Sequence, residues 1–170
     1  YPAGPVGVIL KELPDQRIVY AKPLLFPLVA APFFLVFGPT GFLILNLLAF
    51  WMILRWITRL LGNTPQAAIV AFGALSLSAF APYVLWIHTE IFTAFLVAGF
   101  TYHYLTQPAD GNRRHAIWMG VFLAGATALK PPLIILGLPA VLPILRKKQW
   151  RAPVIFLAAL IILSTLTVVL

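Results

Sequence analysis

Along its hydrophobic and polar positions the chain is a series of long apolar runs separated by short polar or proline-containing breaks. Residues 1–21, YPAGPVGVILKELPDQRIVYA, open with prolines and glycines and continue with Lys11, Glu12, Asp15 and Arg17; this predicts a polar loop with at most one short helical turn. Residues 23–37 are apolar but number only fifteen, three of them proline. A helix needs about 20 apolar residues to cross a ~30 Å hydrocarbon core. Pro27 and Pro32 each remove a backbone donor, which lipid does not replace. The stretch therefore predicts a broken, re-entrant helix at one membrane face, roofed by the loop before it.

Residues 40–61 form a continuous apolar run long enough to span, with Arg55 and Arg59 near its end and Gly62-Asn63 as the stop. Pro65 suits the first turn of the next helix. That helix, residues 66–86, carries small residues along much of its length, which allows close packing where lipid gives no hydrophobic drive. It ends at Pro82, Tyr83 and Trp86, aromatics suited to the interface. A tight turn at 87–89 leads to Glu90 and a span over 91–105, closed by Tyr102 and Tyr104 before the polar loop 106–115. Residues 116–145 are apolar for thirty residues except at Lys130-Pro131-Pro132, where the run splits into two short antiparallel helices. The basic loop 146–151, RKKQWR, precedes a last span at 152–170. The expected fold is all-α: a polytopic transmembrane helical bundle of about six spanning helices with a short juxtamembrane re-entrant helix. It forms a single domain over 1–170, with 1–39 as extracytoplasmic loop and juxtamembrane helix and 40–170 as the spanning part.

Composition sharpens this into an integral membrane protein. Of the 170 residues 62% are hydrophobic and 9% charged, with mean hydropathy +0.99, against roughly 45–50% apolar and about 25% charged in water-soluble domains. The net charge of +8 does not point to nucleic acid, because the basic residues fall in short clusters between apolar runs, as topology signals do. With no cysteine there is no disulfide, thiol catalysis or cysteine-ligated metal to consider. A start at Tyr1 and a stop at Leu170 inside an apolar run read as a piece of a longer protein, with no signal peptide.

Parity of the spans puts Arg55, Arg59, Arg113, Arg114, Arg146, Lys147, Lys148 and Arg151 on one side, which the positive-inside tendency makes cytoplasmic. Glu90 and Lys130 then face outward. The side of residues 1–22 depends on 23–37. A crossing there would raise the cytoplasmic count to eleven against one, instead of eight against four, so charge alone opposes the re-entrant reading that length and proline content support. The expected setting is a multi-pass protein of the bacterial inner (plasma) membrane.

Glu90 is the only acid inside an apolar stretch and has two readings. It is a functional carboxylate at membrane depth, placed at the positive end of a helix dipole, or a capping carboxylate at the water interface with Thr89 or His88 near the cap. His88 reads as an interface residue ahead of a base or a metal ligand, since no second histidine or acid sits beside it at ligand spacing. Lys130, with Lys22 and Arg17 if their loop is outside, can hold a phosphate or diphosphate at the lipid surface; its bland alternative is a snorkelling lysine that marks a turn. No nucleotide loop, nucleophile motif or metal spacing occurs. The candidate set is thus Glu90 as catalytic carboxylate and Lys22, His88 and Lys130 as substrate-binding residues, with no metal site. No cofactor is called for, and the sequence does not specify whether a divalent metal takes part.

The run YAKPLLFPLVAAPFFLVFG (20–38), a spanning helix with Asn46 inside it, TEIFTAFL (89–96) and LKP (129–131) together resemble the membrane module of GT-C glycosyltransferases. These polyprenyl-phosphate-sugar-dependent enzymes include dolichyl-phosphate-mannose protein mannosyltransferases and bacterial lipid A aminoarabinose transferases. The similarity covers nearly the whole chain, through loose motifs. It implies a lysine-proline stretch and juxtamembrane helix after the first extracytoplasmic loop, which matches the placement of 23–37. It also implies roles for Lys22, Glu90 and Lys130, a polyprenyl-phosphate-linked sugar as donor, and a lipid, glycan or protein as acceptor among the surrounding membrane lipids. The catalytic acid of such enzymes, near the start of that first loop, would precede Tyr1. The acid many relatives carry soon after the glycine matching Gly38 is missing from Gly38-Pro39-Thr40-Gly41. The competing classes are a transporter whose broken helices line a path and a non-catalytic subunit of a membrane complex.

Overall fold

A computed structural model describes residues 10–12, 18–20, 25–78, 80–86, 88–107 and 113–139. Its longest element is helix α2 (Thr40–Leu60), 21 residues, or about 32 Å at 1.5 Å per residue. Among the described residues it is the one helix long and apolar enough to cross a membrane. The architecture is helical apart from a two-stranded antiparallel ribbon of β1 (Leu10–Glu12) and β2 (Ile18–Tyr20), paired Leu10 to Tyr20 and Glu12 to Ile18. This corrects the expected helical turn. Ile18-Val19-Tyr20 is a β-branched and aromatic run that suits a pleated strand better than a helix.

Helix α1 (Leu25–Phe37) has 13 residues, about 20 Å in length, too short to cross. It is continuous rather than broken. Pro27 lies in the first turn, where its missing N–H has no intrahelical acceptor in any case, and Pro32 lies on the exposed face, one turn after exposed Leu28. Gly38, with a φ of 60°, then turns the chain sharply into α2. Gly41 is buried against α1, where a Cβ would strike the backbone of Phe33 and lie 2.7 Å from Phe34 N.

At its other end α2 stops at Leu60, and Thr64 starts α3 (Pro65–Leu77) by accepting the Ala67 N–H at 3.1 Å, with Pro65 at the first helical position. The expected single helix over 66–86 is interrupted. A helix running through Pro82 would press its ring on the Ser78 carbonyl and leave that carbonyl without a donor. Instead Ser78 is extended, its hydroxyl donating to Leu75 O at 2.7 Å and accepting from Phe80 N at 3.2 Å. Pro82 then falls in the first turn of the short helix α4 (Phe80–Val84).

Helices α5 (Glu90–Leu105) and α6 (Arg113–Leu129) are antiparallel partners, shown by Phe95 against Phe122 and His103 against His115. They run to about 24–26 Å at 1.5 Å per residue, so among the described residues α2 is the one clear span of the about six expected. Trp56 of α2 joins them, stacked on Phe95 (5.3 Å) and Tyr102 (5.8 Å) and edge-on to Phe122 (5.4 Å). After α6, Lys130 is extended and the chain returns in a 3-10 helix, Pro131–Gly137, far enough for the Tyr104 hydroxyl to donate to Pro139 O at 3.2 Å. The expected hairpin is present as far as Pro139, its second arm wound as a 3-10 helix with Pro131 and Pro132 in its first turn. The basic loop 146–151 and the span expected at 152–170 lie outside the described residues.

Two ends of the bundle follow. The first gathers the starts of α2 and α5 and the end of α6, and α1 lies across it: Phe26 packs on both Phe42 (6.0 Å) and Phe92 (5.6 Å). The second gathers Arg59, at the end of α2, and Arg114, at the start of α6. The outer surface is apolar, with Leu77 92% and Leu35 83% exposed, along with Ile69, Val70, Phe72 and Val36.

Candidate functional site

The first end gathers the candidate residues. Glu90 opens α5, where unpaired N–H groups favour a carboxylate. Thr89 contributes no side-chain cap; its carbonyl accepts both the backbone N–H and the hydroxyl of Thr93. The Glu90 carboxylate also leaves the helix terminus and reaches across to α6. Lys130, extended just beyond Leu129, donates from Nζ to Glu90 Oε1 at 2.9 Å and to Oε2 at 2.7 Å. The two residues are 40 apart in sequence. Their side chains are 34% and 44% exposed, and a pair so wet contributes at most about 1 kcal/mol to stability. Fold stability is therefore a weak reason for the pair.

His88 completes the group. Its Nδ1 lies 3.7 Å from Glu90 Oε1, too far for a hydrogen bond, and that nitrogen is buried with no hydrogen-bond partner. The imidazole also neighbours two aromatic rings, Trp86 at 5.9 Å and Tyr83 at 6.2 Å, which stack on each other at 6.0 Å with 13° between planes. The connection that holds these rings is pinned from below. Asn46, fully buried in α2, donates from Nδ2 to the Trp86 carbonyl at 2.9 Å, and its Oδ1 is buried without a hydrogen-bond partner.

Of the four residues singled out in the sequence, the structure brings Glu90, Lys130 and His88 into one group, while Lys22 lies outside the described residues. Asn46, marked in the sequence only as part of a resemblance, is the buried anchor of the connection. Tyr83 and Trp86 read as interface aromatics; that they face His88 depends on the break at Ser78, whose signal was Pro82.

A second polar group sits at the opposite end. His103 Nδ1 and His115 Nδ1 are 3.4 Å apart, and His115 Nδ1 is 3.3 Å from the His103 carbonyl oxygen and 3.5 Å from Thr106 Oγ1. His103 stacks on Phe122 and Trp118. The signal for this pair was one histidine near the end of a helix and another near the start of its antiparallel successor. Among the described residues no three or more His, Cys, Asp or Glu side chains gather as a metal site.

Comparison with family models, with curated proteins and with solved structures finds no match.

Proposed function

We propose that the chain is the membrane module of a GT-C type glycosyltransferase, moving a sugar from a polyprenyl-phosphate donor to an acceptor hydroxyl on the extracytoplasmic face of a bacterial inner membrane. The observation that carries this reading is the bidentate contact of Lys130 with Glu90 at the bundle end that α1 overlies. A cation for a phosphate and a carboxylate for a hydroxyl proton are the two groups that such a transfer needs side by side. The exposed apolar surface supports the membrane setting, since Leu77, Leu35 and their neighbours are far more favourable against lipid than against water.

In this reading the donor phosphate takes Lys130, which offsets the charge that grows on the phosphate oxygen as the sugar's C1–O bond breaks. The acceptor oxygen attacks C1 from the opposite side, so the anomeric centre inverts. Glu90 takes the proton from that hydroxyl as the new C1–O bond forms. Polyprenyl phosphate leaves, and the carboxylic acid returns its proton to water. The site lies at the rim, where the isoprenoid chain stays in lipid while the sugar meets the acceptor from the aqueous side. A transporter is less well supported: the buried polar side chains among the described residues are Asn46 and Thr93, which do not form a path.

The test is transfer of labelled sugar from polyprenyl phosphate by the full-length protein in liposomes. Glu90→Gln and Lys130→Ala are each expected to lower turnover about 100-fold or more, with unchanged yield and thermal unfolding of the purified protein. Normal turnover in both variants removes the pair from the reaction.

A further inference from the structure

We propose that Tyr83, Trp86 and His88 form the subsite for the sugar ring of the donor, a stacking platform that reads whether the lipid phosphate is loaded. The inference rests on the transferase reading and adds which residues recognise the transferred group. Its warrant is a chain of short contacts. Lys130 is 2.7 Å from Glu90, Glu90 is 3.7 Å from His88, and His88 is in ring contact with Trp86 and Tyr83. A phosphate on Lys130 carries its sugar one bond away, so the pyranose falls within reach of Glu90 on one side and of the aromatic group on the other. The lipid chain must run the other way, into the bilayer.

Sugar rings have a face of C–H bonds that packs on an aromatic surface and a rim of hydroxyls that needs polar partners. Both are present here. Trp86 is 61% exposed yet held in place, stacked against Tyr83 and fixed through its carbonyl by Asn46. The buried, unpartnered Nδ1 of His88 is a hydrogen-bonding atom without an internal assignment, next to the carboxylate. An indole serving only as an interfacial anchor requires neither a buried asparagine under its backbone nor an imidazole and an ion pair at its edge.

The experiment measures binding of bare decaprenyl phosphate, and of decaprenyl phosphate loaded with mannose, glucose or 4-amino-4-deoxyarabinose, to the full-length protein in nanodiscs. Wild-type protein is expected to prefer at least one loaded lipid. Trp86→Ala is expected to lose about three- to ten-fold for that lipid while holding bare decaprenyl phosphate as before, and Trp86→Phe, which keeps an aromatic face, to recover most of the loss. Equal loss for bare and loaded lipid in Trp86→Ala, or no loss for either, overturns the subsite and leaves an interfacial anchor. Wild-type binding of every lipid with no preference for sugar also overturns it, without touching the phosphate role of Lys130. Wild-type binding of none of the four lipids overturns the transferase reading itself.

Discussion

The Glu90–Lys130 contact holds together two groups that the proposed transfer must separate. With both carboxylate oxygens on one ammonium, each group is already occupied by the other. In the proposed transfer, donor phosphate competes with Glu90 for Lys130, so that its arrival frees the carboxylate for the acceptor. This competition gives a prediction with an unexpected sign. Glu90→Gln, which is to lose turnover, is expected to bind bare polyprenyl phosphate more tightly than wild type, by up to about five-fold, because the intramolecular competitor of a half-exposed pair is worth up to about 1 kcal/mol. Lys130→Ala should weaken the same binding. Titration of both variants in nanodiscs checks this, and weaker binding by Glu90→Gln would mean that the carboxylate helps hold the donor rather than competes for the lysine.

Among the elements, the turn from α1 to α2 depends most sharply on a single residue. A Cβ on Gly41 has backbone in front of it, the Phe33 carbonyl group and Phe34 N, and backbone cannot rotate away as a side chain can. Gly41→Ala is expected to destabilise by about 1–3 kcal/mol or more as α1 is pushed off α2. Gly73→Ala, in α3 with nothing within 4 Å of the new methyl, is expected to gain about 0.5–1 kcal/mol. Thermal unfolding of the two in detergent is the check, and equal melting temperatures would mean that α1 is not seated on α2. Elements whose signals are local were legible in the sequence. The limits of α2 follow from its apolar run and the Gly62-Asn63 stop, and the start of α3 from Thr64-Pro65. The break at Ser78 was missed because Pro82 acts four residues upstream, on a carbonyl, and was read only as the end of a span. The continuity of α1 was missed because the cost of a proline depends on which face it lies on, and only packing decides that. Within the site, Glu90 and Lys130 stood out as charges in apolar sequence. Parity of the runs puts both at one end of the bundle, and α5 and α6, antiparallel and 16 and 17 residues long, bring them into direct contact there.

For the whole molecule, the proposed membrane setting makes the two ends of the bundle its two sides, and the position of α1 decides whether the charge rule or the length rule prevails. Charge favours a crossing, since Lys11, Arg17 and Lys22 would then join the arginine-bearing side. Geometry favours a return: Phe26, the second residue of α1, touches Phe42 and Phe92, near the starts of α2 and α5, so α1 begins and ends at the same end of the bundle. Thirteen residues do not reach the other end in any case. Because the 170 residues contain no cysteine, single cysteines can report this with a membrane-impermeant maleimide on intact cells. Thr40→Cys and Leu85→Cys, at the Glu90 end, are expected to label from outside, while Gln66→Cys and Gln107→Cys, at the arginine end, label only after permeabilisation. Lys22→Cys is the deciding position. Labelling together with Thr40→Cys means that α1 enters and leaves on the Glu90 side, keeping the preceding polar segment near the proposed site. Labelling with Gln66→Cys means that α1 crosses, which puts Lys22 on the opposite side from Lys130 and removes it from any phosphate site they could share.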